Sequence, residues 1–182
     1  MINNKPNIYV IGYGNRNRQD DCLGPELAAM LKKGSISGVT AVEKHQLSID
    51  DAYDIAMFKP DVVIFIDASI NGEEPFSIYP VYAHNKINFS IPLFSPEMLL
   101  FICSDFFDTD VKGYMVGIRG YEWGFNSEIS PGAVKNLDMT FNSLQDIFNI
   151  ILINTYKFSF SEEADGCKIS TDYRYREYRS DG

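Results

Sequence analysis

Apolar and polar positions alternate along this chain in two different rhythms. Asn7–Gly12 (NIYVIG) is a short apolar run ending in glycine, the pattern of a buried strand. Leu23, Leu27, Met30 and Leu31 then recur at i, i+4, i+7 and i+8, which is one face of a helix, with Gly34 expected to stop it. Val39–His45 (VTAVEKH) predicts a second strand. Ser48 with an acid three positions on, Asp51, is a capping signal for a short helix to Phe58, broken by Pro60. Asp61–Asp67 (DVVIFID) is continuously apolar between acids, as expected of a central parallel strand covered on both faces. Phe76–Ala83 predicts a further strand, and Pro80 places it at an edge. Ser95-Pro96 opens a helix to about Phe107, Tyr114–Ile118 is another strand, and Ser130-Pro131 opens a long amphipathic helix through Val134, Leu137, Phe141, Leu144, Phe148 and Ile151.

This alternation predicts an α/β fold: a single-domain three-layer α/β/α sandwich around a mostly parallel twisted sheet. The expected domain spans 1–157. Residues 158–182 read as a polar C-terminal tail, ending in DYRYREYRSDG. In such folds ligands sit beyond the carboxyl ends of the strands. The positions to examine are therefore those after Gly12, around His45 and at Asp67.

Composition narrows the function. The chain has 182 residues, with 16 Lys+Arg against 25 Asp+Glu and a formal charge of −9. That balance disfavours nucleic acid and anionic membrane surfaces, both of which need clustered cations. No apolar run approaches the ~18 residues of a membrane span. The three cysteines, Cys22, Cys103 and Cys167, are odd in number and include no CxxC pair. They suit a reducing compartment, so a cytoplasmic protein is expected.

The strand ends carry the candidate chemistry. Gly12-Tyr-Gly-Asn15 allows a tight turn and a close backbone approach. Asn17 stands where a dinucleotide fingerprint needs a third glycine, so cofactor binding is a weak reading. Asp20 and Asp21 precede the first helix. One acid, Asp20, suits a capping role there, and Asp21 is the one expected to face the crevice. Asp67 closes an apolar strand, where a carboxylate is costly unless it is paired or binds a cation. His45 lies at the end of the second strand on the same rim. As a structural histidine it would be hydrogen-bonded; as a ligand it would join Asp21 and Asp67. His84 falls in a polar stretch, Cys22 is a possible soft ligand, and Trp123 serves packing or substrate contact.

Together these blocks resemble the hydrogenase maturation endopeptidases, over roughly residues 7–150. The carriers are IGYGNRNRQDDCLGPELAAML, HQLSIDDA, VIFIDAS, SPEMLL and VGIRGYEWGFNSEISPGAVKNL. The resemblance implies a protease that removes the C-terminal extension from a nickel-iron hydrogenase large-subunit precursor. It places the family's metal-engaging carboxylates on Asp21 and Asp67, and Gly12 and Asn15 on the loop that shapes the site. The family's histidine, four residues before the Ser-Pro helix start, falls on Pro92, with His45 as the expected substitute. The implied cofactor is nickel, that of the precursor itself, and the implied partner is the precursor. The alternative is a non-catalytic binding protein or assembly chaperone on the same fold, with a degenerate metal site.

Overall fold

The computed structural model describes residues 6–84, 94–125 and 128–153, the last four as backbone only. Pro92 and the tail 158–182 lie outside the described residues. Five strands form one sheet: β1 Ile8–Tyr13, β2 Val39–Lys44, β3 Val62–Ser69, β4 Phe76–Val81 and β5 Lys112–Arg119. Their order is β2-β1-β3-β5-β4. The first four pair in parallel, and β4 joins β5 antiparallel at the edge. Pro80 thus sits on an edge strand, where its missing N–H costs little.

Helices cover both faces. The α1 helix (Leu23–Gly34) and α4 (Pro131–Ile153) lie on one side, over a core of Ile8, Val10, Ile64, Ile66, Val116 and Ile118. On the other side α2 (Ile49–Phe58) and α3 (Pro96–Phe107) pack over Tyr9, Ile11, Val63 and Phe65. Successive residues of β1 and β3 supply both cores, because side chains alternate across a sheet. This explains why both strands read as unbroken apolar runs. The arrangement is the expected α/β sandwich. No helix among the described residues is long and apolar enough to cross a membrane.

The caps follow the sequence signals in two places. Ser48 and Asp51 form a reciprocal capping box at α2, and Ser95 accepts from the Met98 N–H with Pro96 in the first turn of α3. Three details differ from expectation. Gly34 is the last helical residue of α1, and Ser35 takes the left-handed conformation (φ 49°) that closes it. A 3-10 turn, Gln19–Cys22, precedes α1. The last strand starts at Lys112, and it includes Gly113, where a β-carbon would lie 2.5 Å from the Leu100 Cδ1.

Candidate functional site

The site begins with two glycines pressed together. A β-carbon on Gly12 would lie 2.1 Å from the Gly24 carbonyl oxygen. One on Gly24 would lie 2.3 Å from the Tyr13 oxygen and 2.5 Å from the Ile66 oxygen. The first turn of α1 therefore rests directly on the ends of β1 and β3. This contact brings the acids of the 3-10 turn to the rim where Asp67 emerges. Gly14, at φ 143°, makes the turn that returns the chain over Asp21.

Asn15 organises that turn. Its side-chain oxygen accepts from the Asn17 N–H at 2.9 Å, and its own N–H donates to the Asp21 Oδ2 at 3.3 Å. Asp21 is half-buried, and its carboxylate accepts that bond from the turn. Asp67 is also half-buried. Its Oδ1 accepts from the Ala68 N–H at 2.7 Å, and the Tyr13 phenol lies near enough to feel its charge. Burial pushes the Asp67 carboxyl up to about 7, the Ala68 bond opposes this, and the nearby Asp21 charge adds to the rise. Two carboxylates thus converge from different elements. A cation would relieve both the burial and the repulsion.

Asp20 has a different task from its neighbour. It is fully buried. Its Oδ2 accepts from the N–H groups of Tyr121 (2.7 Å) and Glu122 (2.9 Å) and from the Ser130 hydroxyl (2.7 Å); its Oδ1 accepts from the Ser130 N–H (2.8 Å). Burial alone would raise its pKa, yet these bonds outweigh it and hold the carboxyl below the usual range. The expected cap on its own helix is replaced by a clamp on the loop after β5. Gln19 and Arg18 reinforce that clamp: Gln19 donates to Glu122 (2.8 Å), and the Arg18 Nε donates to the Trp123 carbonyl (3.1 Å). Trp123 packs on Gly120, so its contact within the described residues is structural.

The remaining candidates lie apart. His45 is exposed just beyond β2. That edge strand is separated from β3 by β1, which puts the two about 10 Å apart across the sheet. Among the described residues no group of three His, Cys, Asp or Glu side chains is placed to hold a metal ion. His45 is therefore not gathered with Asp21 and Asp67. His84 is exposed, and its N–H donates to the Glu97 carbonyl at 3.2 Å. Cys22 is buried, and burial followed by the Glu26 charge pushes its thiol up to about 11. A buried neutral thiol is a poor soft ligand.

Sequence reasoning missed Tyr13. It stands between two glycines and continues the apolar strand, so nothing in its local pattern marks it. Only the register of β1 against β3, with Gly12 opposite Ile66, sets it beside Asp67.

No family model matches the sequence, and no curated protein matches it. Solved structures do. The chain is similar to the [NiFe] hydrogenase maturation protease HycI from Thermococcus kodakarensis, at 20% identity and a TM-score of 0.62, over 80% of this chain and 94% of that one. It is similar to the hydrogenase maturating endopeptidase HybD from E. coli, at 15% identity and 0.60, over 79% and 92%. A hydrogenase 2 maturation peptidase from Thaumarchaeota archaeon SCGC_AB-539-E09 gives 18% identity and 0.58, over 79% and 99%. At these identities the likeness establishes the fold. It agrees with the resemblance carried by the sequence blocks.

Proposed function

We propose that this protein is an endopeptidase that removes the C-terminal extension of a nickel-iron hydrogenase large-subunit precursor. The observation that carries the proposal is the convergence of Asp21 and Asp67 at the carboxyl rim of a sheet with the maturation-protease fold. Nickel enters as part of the substrate, already installed in the precursor. Bound there, it would polarise the scissile carbonyl or activate a water.

The protein's own residues recognise and orient that centre. With its carboxyl raised to about 7, Asp67 is partly protonated at neutral pH, and a bound cation would displace that proton. Asp21 supplies the second carboxylate, held by the Asn15 N–H. The Asp20 clamp ties the turn that carries Asp21 to the loop after β5. Two carboxylates make an incomplete shell, which suits a metal whose other ligands come with the substrate. The protein is expected to work in the cytoplasm.

The test is processing of a nickel-loaded precursor. The Asp67→Asn variant is expected to lose cleavage while remaining folded; cleavage at the wild-type rate would end the proposal. One observation favours a second reading, a non-catalytic assembly chaperone: no triad of metal-ligating side chains occurs among the described residues. A stable wild-type complex with an uncut precursor would favour that reading.

A further inference from the structure

A second concave site lies at the same rim, beside α4. It is a cleft of about 400 Å³ between the turn that enters β4 (Glu74, Pro75), Tyr121 after β5, and the first turns of α4 (Lys135, Asn136, Met139). Its floor is held from several sides. The Tyr121 hydroxyl donates to the Glu74 Oε1 at 2.6 Å and accepts from the Nδ2 of the buried Asn136 at 2.9 Å. The Arg119 guanidinium lies 5.3 Å from the Tyr121 ring centroid. Gly132 leaves room for that ring, since a β-carbon there would lie 2.8 Å from the Tyr121 Cε2. The Tyr121 N–H is one of the donors held by Asp20. The phenol is thus fixed at its backbone, its ring and its hydroxyl, and what it offers a ligand is ring surface. Tyr121 and Met139 are 39% and 43% exposed. Lys135 is exposed and forms no ion pair among the described residues.

We propose that this cleft docks an extended peptide, a segment of the precursor beside the cleavage point. An apolar side chain of that segment rests on Tyr121 and Met139, and an acidic one pairs with Lys135. The identity of the occupant rests on the function proposed above. Size and shape choose its class. Small-molecule sites run to about 300–1,000 Å³ and enclose most of their ligand. This cleft lies at the low end of that range, and its Glu74, Lys135 and Met139 walls are exposed. An open trench suits a chain that enters and leaves it. Position fits the same occupant. Asp20 holds the Tyr121 N–H and immediately precedes Asp21, so the cleft and the carboxylate crevice flank one clamp. One strand, β5, separates β4 from β3. That spacing is about 10 Å, which roughly three extended residues span. One peptide therefore reaches from the cleft to Asp21 and Asp67.

The test is the cleavage kinetics of a nickel-loaded precursor with the full-length Lys135→Glu and Met139→Glu variants. Met57→Glu is the control, at an exposed position of α2 on the other face of the sheet. Because all three positions are exposed, each variant should keep the wild-type thermal midpoint; Met139→Gln replaces Met139→Glu if that one does not. The two cleft variants are expected to raise KM about 10-fold at an unchanged kcat, the mark of lost binding that ground state and transition state share. Met57→Glu should behave as wild type. A wild-type KM in both cleft variants overturns the docking site and leaves the peptidase standing. A fall in kcat without a rise in KM, or an equal rise of KM in Met57→Glu, overturns it too. If the wild type leaves the precursor whole, the peptidase falls, and biolayer interferometry on the uncut precursor decides the cleft. Weaker binding by Lys135→Glu and Met139→Glu than by wild type then sustains it; equal binding, or none by wild type, overturns it.

Discussion

Asp20 and Ser130 are separated by 110 positions and joined twice, through the Ser130 N–H at 2.8 Å and the Ser130 hydroxyl at 2.7 Å. Ser130 also begins α4, where its hydroxyl accepts from the Ala133 N–H at 3.3 Å. One buried carboxylate thereby fixes the turn before α1, the loop after β5 and the start of α4. Removing it strands several buried donors at once. Each unsatisfied donor costs about 1–3 kcal/mol, so Asp20→Ala is expected to lose about 3 kcal/mol or more in urea unfolding. Ser130→Ala keeps the backbone bond and should lose about 1 kcal/mol. Equal small losses in both variants would show that the clamp contributes little.

The contact between Gly12 and Gly24 leaves no room for a methyl group. Overpacking a tight core typically costs about 1–3 kcal/mol, and here the obstacles are backbone oxygens that cannot rotate away. Gly24→Ala should fall at or above the top of that range. Gly34→Ala offers the control, since its nearest neighbour is a side-chain atom 3.7 Å away; an alanine at this last helical position should be neutral or stabilising. Thermal unfolding of the pair measures the difference directly.

Asp67 gives the fold a pH dependence of definite sign. Its folded value, about 7, lies above the unfolded one near 3.9. The folded state then binds more protons than the unfolded chain between these values. Its contribution is most favourable below about pH 4 and is lost as pH rises to about 7. Asp20 acts oppositely, but only below the ordinary carboxylate range, because its folded value is lowered. Asp67→Asn should therefore be more stable than wild type at pH 8, by up to about 4 kcal/mol, and close to it at pH 4. Urea titrations across this range check the crossover. A wild-type advantage at pH 8 would mean that the carboxylate is already compensated.

Cys22 and Cys103 are both buried, and burial raises both thiols to about 11. In a Cys167→Ser background neither should react with a disulfide reagent at pH 8 until denaturant is added. Fast labelling of Cys22 in the native protein would reopen it as a ligand.

Much of this architecture was readable in the chain because it rests on local signals. The runs IYVIG and VVIFI give the two central strands, and Ser48 with Asp51 and Ser95 with Pro96 give the helix starts. Asp67 stood out because a charge closed an apolar strand. What escaped depends on contacts distant in sequence. Asp20 looks like a cap until the donors 101 to 110 positions away are known. Tyr13 looks like any strand residue until the register sets it beside Asp67. His45 shares a rim with Asp67 by topology, but the order β2-β1-β3 puts a whole strand between them.

The central claim is that Asp21 and Asp67 together act on a nickel-bearing precursor. Its most direct test is the mass of a nickel-loaded large-subunit precursor after incubation with wild type and with Asp21→Asn. The account predicts loss of the C-terminal extension with wild type, retention with the variant, and no cleavage of a nickel-free precursor by either. A precursor left whole by wild type, or cut equally by the variant, would contradict it.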